Sequence, residues 1–107
     1  MTSDADDTPV LNTIADMTAA SLENCSLELR ELMLVRIAGL ASVGAPVASY
    51  LLNAEGAVAA GVTLEDVQGV LVAIAPIIGT ALTITAAANI ADALGFAIAA
   101  LMDGDLD

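Results

Sequence analysis

Histidine and lysine are absent from this 107-residue chain, tryptophan is absent too, and cysteine, tyrosine and phenylalanine occur once each. Without histidine there is no imidazole for acid–base work near neutral pH, and the commonest nitrogen ligand for metals is missing. The fourteen Asp and Glu form neither a Glu-x-x-His nor an Asp-x-Asp-x-Asp-Gly pattern, and Asp103-Gly104-Asp105 is only a tail, so no metal site and no cofactor is expected. One cysteine, Cys25, cannot make an internal disulfide. It is expected to be an inert loop or core thiol; its place just before a helix leaves a thiol-dependent role as the alternative. Two arginines against fourteen acids give a net charge of −12, which repels phosphate backbones and anionic bilayers and argues against a nucleic-acid partner. The N-terminus is acidic and has no apolar run, so no signal peptide is expected and the cytoplasm is the expected location.

What the chain does have is apolar surface. Hydrophobic residues make up 58% of it before glycine is counted, against roughly 45–50% with glycine in ordinary soluble domains. A single domain of this length buries only about 65% of the surface its unfolded chain exposes. Either a membrane or further copies must cover the excess. The charge-free run from Val67 to Ala91 has the length of a membrane span. However, Pro76 and Gly79 interrupt it, Asp66 and Asp92 flank it, and no Trp/Tyr belt accompanies it. Its Ala, Thr, Gly and Val suit close packing between protein helices. An obligate homo-oligomer without membrane insertion is therefore expected.

The apolar spacing predicts helices throughout. Residues 1–8 are an acidic N-terminus expected to be disordered, 9–102 a single helical domain, and 103–107 an acidic tail. Thr8-Pro9 reads as N-cap and first position of a helix that fades near Asn24. Ser26 is expected to cap a second helix carrying Leu29, Leu32, Met33, Ile37 and Leu40 to about Ser42. Gly44 and Pro46 mark a turn, a third helix runs from Pro46 to Ala60, and Gly61 suits the left-handed position after it. A fourth helix begins at Thr63, with Glu65 and Asp66 favourable to its dipole. It should stop or kink at Pro76. The fifth, from about Thr80 to Met102, is apolar on nearly every face and so is expected to be buried.

The segments Leu27-Glu-Leu-Arg-Glu-Leu-Met-Leu-Val-Arg-Ile-Ala38, Ala59-Ala-Gly-Val-Thr-Leu-Glu-Asp-Val67, Val70-Leu-Val-Ala73 and Ala87-Ala-Asn-Ile-Ala91 together resemble the carboxymuconolactone decarboxylase and alkylhydroperoxidase D family. The resemblance covers Leu27 to Gly95, about two thirds of the chain. It implies an all-α, five to six helix orthogonal bundle that assembles into trimers or hexamers. It also implies a Cys-x-x-Cys-x-x-x-His motif before the Ala-Gly-x-Thr turn. Counting back from Gly61, those positions hold Pro46, Ser49 and Asn53; an earlier register near Val43 to Pro46 holds no cysteine either. Thiol peroxidase chemistry needs a thiolate attacker and a resolving partner, so it does not carry over. The decarboxylase branch relies on acid–base groups including histidine, which this chain lacks.

Arg36 lies on the apolar stripe of Leu29, Leu32, Met33 and Leu40, where an unpaired charge is expensive. Between Ile37 and Leu64 the only other charge is Glu55. In a hairpin about Gly44 the two would be offset by about 4.5 Å along the axes. An Arg36–Glu55 ion pair, within a subunit or across an interface, is expected, with a substrate-carboxylate clamp as the alternative. Glu31 is a further acid–base candidate, expected on a solvent face. Ser49 and Asn53 share a helix face beside Tyr50, the only phenol; interior hydrogen bonding to backbone is expected of them, with the lining of a small pocket as the alternative, although a serine without a base is no activated nucleophile. The expected function is a self-assembling scaffold or a module for a small apolar or carboxylate ligand. The alternative is a cofactor-free lyase or isomerase for a small organic acid or lactone, using Arg36 with Glu55 or Glu31.

Overall fold

Alanine-rich stretches punctuated by three glycines of positive φ set the architecture: five helices joined by short connections. The structure, a computed structural model, describes the backbone of residues 2–106 and the side chains of residues 8–95. The helices are α1 (Thr2–Asn24), α2 (Leu29–Ser42), α3 (Val47–Ala59), α4 (Leu64–Ile78) and α5 (Thr80–Leu106), with no strand among the described residues. The all-α class is as expected.

The turns follow from backbone hydrogen bonding. After α2, the Ala45 N–H donates to the Leu40 carbonyl at 3.0 Å and Gly44 N–H to Ala41 at 3.3 Å. After α3, Val62 bonds to Ala57 and Gly61 to Val58 in the same way, both at 3.0 Å. Each is a helix end closed by a left-handed residue, here Gly44 (φ 68°) and Gly61 (φ 77°). At the start of α4 the Thr63 hydroxyl accepts from Asp66 N–H at 3.1 Å, and the Asp66 carboxylate accepts from Thr63 N–H at 2.9 Å, a reciprocal cap.

Four boundaries differ from the expectation. α1 begins at Thr2, not Thr8, so Pro9 lies inside a helix. The cap of α2 is Glu28, not Ser26; its N–H donates to the Glu31 carboxylate at 3.2 Å, so a reciprocal acid replaces the serine. α4 runs two residues past Pro76, because that proline sits in the last turn and the chain closes with Gly79 N–H on the Ala75 carbonyl at 2.9 Å. α5 continues to Leu106 rather than ending at Met102.

α2 packs against α3, α4 and α5, while α5 also packs against α3 and α4. Leu32, Met33, Ile37 and Ala41 of α2 are buried where these helices meet. A second cluster joins Ala45, Tyr50 and Ala93, bordered by Leu40, Val47 and Ile90. The Asn89 amide donates to the Ala45 carbonyl at 3.0 Å and ties α5 to the α2–α3 turn. Within one chain the expected burial of α5 is only partial. Only Ala86 and Ala93 are buried among its described side chains, and Ile84 is 63% exposed, because α2, α3 and α4 cover one side of it alone.

α1 stands apart. Among the described residues none of its Cα atoms comes within 8 Å of another helix, and Val10, Leu11, Ile14, Met17 and Leu22 are all exposed. The whole chain exposes 7266 Å², roughly 1,800 Å² more than a folded monomer of 10.7 kDa. Its radius of gyration of 15.2 Å exceeds the ~13 Å of an ordinary domain of this length. The long run Val67 to Ala91 is split by Gly79 into α4 and α5, and no helix among the described residues is long and apolar enough to cross a membrane.

Candidate functional site

Two hollows flank α3. The first, of about 200 Å³, lies among α2, α3, α5 and the start of α4, and is walled by Ile37, Tyr50, Asn53, Ala57, Val67 and Ala93 with their apolar neighbours. The second is a wider groove of about 670 Å³ between α1 and the α2/α3 face. Leu11, Ile14 and Leu22 of α1 form one wall; Leu29, Met33, Arg36 and Leu40 of α2 and Ser49, Leu52, Asn53 and Gly56 of α3 form the other.

Tyr50 is buried, and its hydroxyl is the one buried side-chain polar atom among the described residues without a hydrogen-bond partner. Burial pushes its phenol above the ordinary value. Asn53, one turn along α3, touches both hollows and donates its amide to the Ser49 carbonyl at 2.9 Å, the backbone bond expected of it. Ser49 is half-buried and lines the groove. Spacing on α3 thus places Ser49 and Asn53 on the groove wall, while Tyr50 turns to the first hollow.

The arginines divide the work differently from the sequence expectation. Within one chain Arg36 does not pair with Glu55. Its Nη2 donates to the Ser21 hydroxyl at 3.0 Å and reaches the Thr18 carbonyl at 3.5 Å. The physical reason is α1, whose Thr18 and Ser21 bring oxygens to Arg36 midway along α2, while Glu55 is exposed. The one ion pair among the described residues is Arg30 with Asp66. Both guanidinium nitrogens meet the carboxylate, at 2.8 and 2.9 Å, and Nη1 also reaches the Gly61 carbonyl at 3.3 Å. Arg30 therefore binds the end of α3 to the start of α4, which sequence reasoning missed. The signal was present in Asp66 at the α4 N-terminus, but nothing local revealed that α2 packs on α4.

Glu31 is exposed and holds the α2 cap. Arg36, Glu31 and Glu55 therefore do not converge within one chain. Cys25 is half-buried in the α1–α2 connection as a free thiol. Among the described residues no three His, Cys, Asp or Glu gather as a metal cluster would require. No protein-family model, no curated protein and no solved structure matches the chain.

Proposed function

We propose that this chain is a self-assembling helical module of the carboxymuconolactone decarboxylase-like type, working as a homo-oligomer, a trimer or hexamer on the strength of the resemblance, without thiol peroxidase chemistry. The observation that carries self-assembly is the surplus of roughly 1,800 Å² of exposed surface over a folded monomer. Much of that surface is large and apolar: Val43, Leu52, Val58, Val72 and Ile77 are each more than 70% exposed. The resemblance to the family draws support from the Ala-Gly-x-Thr segment, which forms the α3–α4 connection with Gly61 left-handed and Thr63 capping α4. A cytoplasmic setting fits a chain with no helix suited to crossing a membrane among its described residues.

A second reading is favoured by the hollow beside Tyr50. Its walls are almost wholly apolar, and a wall residue, Tyr50, carries a buried hydroxyl without a hydrogen-bond partner. A small apolar ligand bearing a single oxygen fits that chemistry. An enzymatic role on an organic acid finds less support, since its candidate groups lie apart. Native mass spectrometry of detergent-free protein tests both readings together. Multiples of the chain mass are expected, and a co-purified small molecule supports the ligand reading; a bare monomer contradicts the assembly.

A further inference from the structure

Only two basic side chains, both arginines, stand against fourteen acidic ones. Arg30 is committed to Asp66 through two short bonds. Arg36 is the remaining guanidinium, half-buried in the wall of the α1–α2–α3 groove. It is held there by a hydroxyl and a carbonyl, with no carboxylate within 4 Å among the described residues. A guanidinium among Leu29, Met33 and Leu40 is left with an uncompensated charge, and covering it further without an anion would be costly.

Glu55 presents the complementary problem. It is exposed, without an ion-pair partner among the described residues, and is set on α3 among Leu51, Leu52 and Val58, which are 37%, 71% and 76% exposed. If this apolar face is covered, Glu55 is covered with it and needs a cation. Of its two guanidinium groups a second copy of the chain offers Arg36, because its Arg30 is occupied. Leu52 belongs both to this face and to the groove wall, so the Glu55 surface and the Arg36 groove are continuous.

We infer that the groove beneath α1 is an interface between copies of this chain, in which Glu55 of one copy pairs with Arg36 of the next. The inference rests on the self-assembly reading and names its surface. Charge complementarity and area agree. The surplus of roughly 1,800 Å² per chain is more than twice the ~800 Å² per partner that a standard stable interface covers. Among the described residues the α1 backbone packs on no other helix of the chain, which leaves its Leu11 and Leu22 side chains, 60% and 44% exposed, available as the second wall.

The test is a charge exchange. Arg36→Glu and Glu55→Arg are purified separately, checked for helical content, and run by sedimentation velocity alone and as an equimolar mixture. Each alone should fall to smaller species than the wild type, since like charges then face each other across the interface. The mixture should form species that contain both chains and are larger than either variant forms alone, because every junction between unlike chains restores an Arg–Glu pair. Variants that assemble alone as the wild type does, or a mixture that stays dissociated, would overturn the pairing and leave self-assembly standing. A wild-type monomer would overturn both. Should either charge variant fail to fold, Arg36→Cys and Glu55→Cys in a Cys25→Ser background replace them. A short bismaleimide should link the two chains in a mixture, and its failure to do so would equally overturn the pairing.

Discussion

Arg30 of α2 grips the Asp66 carboxylate of α4 with two parallel hydrogen bonds of 2.8 and 2.9 Å, while the same carboxylate accepts the Thr63 N–H at 2.9 Å. One acid thus serves as ion-pair partner and helix cap at once. Its carboxyl is held well below the usual carboxylate range, by Arg30 first and then by the Thr63 backbone.

That shift fixes a pH dependence. The folded-state value lies below the unfolded one of about 3.9, so the contribution is fully present above that pH and is lost as the pH falls further. Other carboxylates also titrate there, and comparison with Asp66→Asn isolates this one. The melting temperature of the wild type should exceed that of the variant by a constant margin above about pH 5, and the margin should shrink below pH 4. A margin independent of pH would show that Asp66 is not ionically held.

Thr63→Ala removes the hydroxyl that caps α4 and leaves the Asp66 N–H without its acceptor. The loss should be about 1 kcal/mol, or a fall of roughly 4–8 °C in melting temperature for a domain of this size. Thr63→Ser should retain most of the stability, measured by thermal denaturation under identical conditions.

Tyr50→Phe has an unusual expected sign. An unsatisfied buried hydroxyl costs about 1–3 kcal/mol, so deleting it should stabilise the ligand-free protein by about 1 kcal/mol in urea denaturation. A loss of stability instead would mean that the hydroxyl is bonded in solution, by a ligand or across an interface.

Gly79 separates α4 from α5 at φ 88° and ψ 171°, a region open in practice to glycine alone. No side chain would obstruct an added methyl, so the backbone alone sets the penalty. Gly79→Ala should cost about 1–3 kcal/mol, read from chemical denaturation. A neutral result would show that the α4–α5 corner adopts another conformation.

Local chemistry made most of the helical framework legible. Gly61 after α3 and Thr63 before α4 act through their own few neighbours, and both were readable from spacing. Pairings across helices were not: Arg30 with Asp66 spans 36 positions and Asn89 with Ala45 spans 44, and periodicity says nothing about which helices meet. Arg36 stands out in the sequence because a charge interrupts an apolar stripe. Its partner within the chain was misread because α1, expected to start at Thr8 and given no docking place, supplies the oxygens. Tyr50 stands out in the sequence as the only phenol, but its orphan hydroxyl depends on burial that includes Ala93 of α5, far along the chain. The uniformly apolar α5 suggested burial, and one copy of the chain covers only a single side of it.

Sedimentation velocity of detergent-free protein across micromolar to submicromolar concentrations tests self-assembly most directly. A discrete species of at least two chains, persisting on dilution, is the predicted result. A single boundary at the mass of one 10.7 kDa chain throughout would contradict the account.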